Sequence, residues 1–195
     1  MNKLKSLMIA VAIVIAPVVA VAPAASAQGT VVVVIDQGKI LADSKAGKDM
    51  LTKLKNIETQ INSELKGPAD ALSAERKTLA TKVEGKTEQA VLADAALVTQ
   101  IEGFQKKANE LAAKRQVLSQ EFAATEQKAF VDFNKALEPV LLEVIKEKNA
   151  QVVLYKNQVV FSADNVDATA AVITKLDQKT PSIAVVRQRA PAPTN

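Results

Sequence analysis

Cysteine and histidine are both absent from the sequence, and each absence removes chemistry. Without cysteine there is no disulfide to brace the fold, no lipid-modified N-terminal cysteine and no thiol nucleophile. Without histidine the imidazole general base goes too, and with both goes the usual zinc ligand set. Tryptophan is also missing and aromatic residues make up only 3% of the chain. Few large side chains are therefore on hand to fill a spherical core. What is plentiful is Ala, Leu, Lys, Glu and Gln through the middle, the composition of elongated helices.

The N-terminus reads as an export signal. Lys3 and Lys5 precede an apolar stretch, and Ala25-Ser26-Ala27 forms a small-residue site followed by Gln28. That order predicts a signal peptide over residues 1–27, cleaved after Ala27. A retained membrane anchor is disfavoured by Pro17 and Pro23, which interrupt a run already short for a spanning helix. The mature chain would then hold about 168 residues, from Gln28 to Asn195, and loss of two lysines lowers the net charge from +4 to about +2. Export and near-neutral charge argue against a nucleic-acid partner.

Residues 30–35 read Thr-Val-Val-Val-Val-Ile between Gly29 and Asp36, a buried strand by β-branching and length. Asp36 is placed to cap a helix. Met50, Leu54, Ile57, Ile61 and Leu65 then recur at helical spacing, and the stripe resumes with Leu72, Leu79 and Val83. Gly67-Pro68 between them predicts a kink or a brief break. Residues 84–87 are the natural reversal, with Gly85 suited to a left-handed helix end and Thr87 or a neighbour to a cap.

The returning helix carries the clearest pattern. Leu97, Ile101, Phe104, Ala108, Leu111, Arg115, Leu118, Phe122, Thr125 and Ala129 alternate steps of four and three, the spacing of a left-handed coiled-coil seam. Arg115 and Thr125 are its polar exceptions. Two such stripes joined by a short turn cover each other as an antiparallel hairpin, reaching about 75 Å for an arm of about fifty residues at ~1.5 Å each. The helical pattern continues past Pro139, read as a bend, to about Lys148. Residues 151–155 and 159–161 then read as two strands of a hairpin around Lys156, Asn157 and Gln158. A short helix through Val172, Ile173 and Leu176 follows. From Lys179 the chain, with Pro181, Pro191 and Pro193, reads as a mobile tail with a short extended segment at 183–186.

The fold class expected is α+β: a small strand-containing head formed by residues 28–40 and 140–178, a helical hairpin arm over 41–139, and a tail over 179–195. So small a head buries its apolar runs only marginally by itself, and its strand edges invite pairing, so it is expected to oligomerise. Val31, Val33, Ile35, Val153, Tyr155 and Val160 are the candidate oligomerisation residues. Leu97, Ile101, Phe104, Leu111, Leu118 and Phe122 serve either as hairpin seam or as contacts to a bound polypeptide.

The order of these elements resembles the Skp/OmpH family of periplasmic chaperones. The resemblance rests on the strand 31–36 with Ile40 and Leu41 just inside the next helix, the long hairpin, and the closing run 150–155, 159–167 and 169–176. It implies a homotrimer whose strands form a central body and whose arms enclose a cavity. It further implies ATP-independent holding of unfolded outer-membrane proteins in the periplasm. Family members have strongly basic arms, suited to acidic clients and lipopolysaccharide. Here arm charge is nearly balanced, and Lys106, Lys107, Lys114 and Arg115 are the densest basic group. They read either as a contact for an anionic surface such as membrane lipid or lipopolysaccharide, or as a solvated helix face, the reading favoured.

Enzymatic readings find little support. Asp164 and Asp167 form a carboxylate pair, but they sit where a helix needs capping and lack the ligand series of a calcium loop. Gly38 and Gly47 are not followed by a phosphate-loop Lys-Ser/Thr signature. No catalytic residue, cofactor or metal is expected. The alternative to a chaperone is a structural coiled-coil adaptor of the cell envelope that binds a folded partner.

Overall fold

The computed structural model describes residues 29–189, so the signal-peptide reading, Pro191 and Pro193 lie outside the described residues. Strand β1 (Val32–Ile35) leads into helix α1 (Gln37–Asp43), and α2 (Lys45–Val83) runs outward along the arm. A short α3 (Glu88–Leu92) crosses the tip. Helix α4 (Ala95–Glu147) then returns the whole length to strand β2 (Val152–Tyr155) and helix α5 (Thr169–Lys179). β1 and β2 pair in parallel, with Val32 opposite Val152 and Ile35 opposite Tyr155. Parallel strands need a long crossover; here the crossover is the entire arm. The two ends of the folded chain thus share one sheet, as the sequence predicts.

Each corner has a local cause. The Asp36 carboxylate accepts from the Lys39 amide at 2.9 Å and starts α1. Ser44 ends α1, and its hydroxyl accepts from the Gly47 amide at 3.1 Å to start α2. Gly47 is required there by space: a Cβ would lie 1.9 Å from the Leu41 carbonyl oxygen. At the tip Gly85 takes a left-handed φ of 71°. Thr87 caps α3 and Asp94, rather than Thr87, caps α4. α4 closes with Asn149 left-handed at φ 49°. The Ala150 amide reaches the Ile145 carbonyl and the Asn149 amide that of Lys146, which satisfies carbonyls the helix end leaves open.

The brief break allowed for at Gly67-Pro68 does not occur. α2 passes through Pro68 and α4 through Pro139 without interruption. Pro68 has no amide to offer the Glu64 carbonyl, and that oxygen instead lies 3.5 Å from the Lys114 ammonium of α4. Neighbouring-helix donors can thus offset the lost bond.

The head is more helical than the sequence suggests. Residues 156–158 form a 3₁₀ turn and 159–163 run irregularly, so the expected hairpin with residues 159–161 is absent. Lys-Asn-Gln lacks the glycine that a tight two-residue turn needs. The described sheet has two strands, extended only by a bridge from Val34 to Asp167. Helix faces supply most of the core: Ile40, Met50, Phe133, Val140, Val144, Val172 and Leu176 are buried together with Val33 and Ile35. No described helix is long and apolar enough to cross a membrane.

Candidate functional site

Three surfaces offer themselves: the apolar rim of the head, the arm, and the groove between α2 and α4 near the head. The rim follows from the missing hairpin. Val160 and Phe161 project from the irregular stretch with exposures of 108% and 83%, and Val31, Leu142, Val152 and Tyr155 are exposed nearby in the head. An open groove of about 510 Å³, lined by Leu141, Leu142, Ile145, Val153 and Tyr155 among others, runs beside β2. The candidate oligomerisation residues therefore divide. Val33 and Ile35 are spent in the core of their own chain, Val153 is half-buried, and Val31, Tyr155 and Val160 remain on the surface. Val160 belongs to no strand.

Beneath the rim the head is held by charge as well as packing. Glu143 of α4 meets Lys175 at 2.9 Å and also Lys179, both on α5, and these ammonium groups hold its carboxyl down at about 2. Burial alone would raise the Asp167 carboxyl. Lys156 at 2.7 Å and the Thr169 hydroxyl and amide overcome that, and it sits at about 2. The N-cap of α5 is Ala168, with no side-chain cap bond; Asp167, one position before it, accepts from the first amide of the helix instead. Asp164 lies in a separate 3₁₀ turn and is exposed.

On the arm, Leu97, Leu111 and Leu118 are buried in the seam, while Ile101, Phe104 and Phe122 are half-buried. The latter three keep part of their surface open. Ile57 and Ile61 of α2 and Leu118 of α4 make a separate apolar cluster. All four residues of the basic group, Arg115 of the expected seam included, are exposed. Lys107 reaches across the hairpin to both Glu75 oxygens, at 2.9 and 3.0 Å, and Lys114 faces the Glu64 carbonyl.

The groove between α2 and α4 was not foreseen. Residues 182–189, part of the expected mobile tail, lie along it as an extended strap. The Ser182 hydroxyl and Ile183 amide donate to Asp49 at 2.8 and 3.1 Å, and Lys53 donates to the Ile183 carbonyl at 2.8 Å. Farther out, Arg187 joins both helices, meeting Glu64 of α2 at 2.5 Å and Glu121 of α4 at 2.8 Å. The Gln188 amide donates to the Thr125 hydroxyl at 2.8 Å. Ile183 enters the head core, and Val185 packs against both apolar clusters. Thr125, a polar exception in the seam, is thereby explained.

Residues 31–176 match the family described as Outer membrane protein (OmpH-like). The chain belongs to that family. Among solved structures, the OmpH-like fold is matched by a candidate outer membrane chaperone (OmpH-like) from Caulobacter crescentus CB15. The TM-score is 0.70 at 29% identity, over 83% of this chain and 92% of that one. No curated protein matches the sequence. The OmpH-like match ends at residue 176, before the strap begins, so the strap lies beyond the part of the chain that the family describes.

Proposed function

We propose that this OmpH-like protein is a periplasmic, ATP-independent holding chaperone that binds unfolded outer-membrane proteins and keeps them from aggregating. Family membership and the likeness to a candidate outer membrane chaperone support a chaperone role. The observation that carries the finer reading is the arm: two paired helices with a thin seam and several seam residues only half covered. Such a limb buries little of its own surface and bends readily. It offers a client many weak apolar contacts, which suits capture without a nucleotide to drive release. An unfolded barrel exposes alternating apolar residues and open strand edges, and the contacts need only prevent its encounter with other chains.

Self-association through the head, as a trimer, completes the reading. It would cover Val160, Phe161 and Tyr155 and bring the arms round a shared space. Light scattering tests the whole. An outer-membrane barrel protein diluted from urea should stay clear in several-fold excess of this protein without nucleotide. Aggregation at the rate of the client alone would overturn the proposal.

A further inference from the structure

We infer that the groove between α2 and α4 is a binding site for an extended peptide, occupied in cis by residues 182–188 and opened when a client segment takes their place. The occupant it fits has apolar residues two apart and an arginine or lysine two positions farther on. This rests on the proposed chaperone function and says where on the arm a client strand binds and what competes with it.

The groove shows its own specificity through the strap. Ile183, Val185 and Arg187 face inward while Ala184 and Val186 are exposed, the two-residue alternation of a β-strand. The first position is apolar and enters the core. Arg187, the third, meets two carboxylates, Glu64 and Glu121, one from each helix. Glu121 is buried at 8% exposure, one turn from the buried Thr125 and near Leu118 and Phe122 along α4. With these two carboxylates, one from each helix, converging on the Arg187 guanidinium, this end of the groove favours a basic side chain. Thr125 and Asp49 accept main-chain amides at either end, contacts any extended segment can supply. Extended stretches with alternate apolar residues are also what unfolded barrel strands present.

A strap tethered in cis acts at an effective concentration on the order of millimolar, so releasing it should raise client affinity roughly tenfold or more. The test uses the full chain carrying Ile183→Asp and Arg187→Glu, which sets new acids against Asp49, Glu64 and Glu121. A fluorescein-labelled peptide of residues 181–189 should bind this variant saturably and the unaltered chain at least tenfold more weakly. The same peptide with arginine 187 changed to glutamate should not bind. Should the variant lose its helical signal, amide exchange on the unaltered chain answers the question: adding unfolded barrel protein should speed exchange at the Ile183 and Gln188 amides. No peptide binding to a folded variant, or strap exchange unmoved by bound client, overturns the inference. Suppressed aggregation by the unaltered chain alongside either result leaves the chaperone proposal standing; absent suppression would sink that proposal instead.

Discussion

Replacing Gly47 by alanine isolates the corner on which the arm's attachment depends. The new Cβ would stand 1.9 Å from the Leu41 oxygen, 2.7 Å from its carbonyl carbon and 3.0 Å from its Cα. All three are backbone atoms, so no side chain can swing aside. Either α1 moves away from α2, uncovering Ile40 and Met50, or the Ser44 cap opens. Overpacking of this kind costs about 1–3 kcal/mol and more when backbone must shift. Alanine returns about 0.8–1 kcal/mol of helix propensity. Because only backbone atoms stand in the way, the cost is set at about 3–4 kcal/mol, so the net loss expected is about 2–3 kcal/mol, or a fall in Tm of roughly 4–12 °C for a chain of this size. Gly103, in the third turn of α4 with nothing within 4 Å of its would-be Cβ, is the control. Its change to alanine should raise Tm by a few degrees, since only the propensity term operates. Melting followed by circular dichroism reads both. If Gly47→Ala melts with or above the unaltered chain, the close approach of α1 to α2 is wrong.

Further outcomes are expected. Val160→Ser with Phe161→Ser should lower the solution mass toward that of one chain without loss of helix signal, because these side chains cover nothing in their own chain; sedimentation checks it, and an unchanged mass would place self-association elsewhere. Asp167 is held at about 2, below the ordinary carboxyl value of about 3.9. Its contribution is therefore complete above pH ~4 and lost as pH falls toward 2. Melting between pH 6 and 2.5 should show a shallower acid decline for Asp167→Asn than for the unaltered chain; equal slopes would refute its role at the start of α5. Lys107→Glu sets two acids against each other across the arm, and being an exposed pair should cost no more than about 1 kcal/mol in urea unfolding.

The features legible in the sequence are those written locally. The run of β-branched residues at 31–35, the seam of alternating four and three steps, and Gly85 at the reversal each announce themselves over a few residues. Pairing of β1 with β2 follows from having strands at both ends of one excursion. What escaped the sequence depends on partners far along the chain. Pro68 stays within its helix where Lys114, forty-six positions on, faces the carbonyl it cannot reach. The strap contains only a five-residue alternation, and its anchors Asp49, Glu64, Glu121 and Thr125 are scattered over two helices. Glu121 gives a signal only in hindsight, as a carboxylate beside Phe122 on the buried side of the seam. The 151–161 hairpin does not form because residues 156–158 supply no tight turn to join β2 to residues 159–161.

Since the chain has no tryptophan, indole emission in a mixture with a tryptophan-bearing barrel protein comes from the client alone. Bound client is expected to stay soluble with the red-shifted emission of an unfolded chain, and to shift to the blue only when lipid vesicles let it insert. A client that folds on this protein in the absence of lipid, or that precipitates beside it, would contradict holding of unfolded clients by the arms.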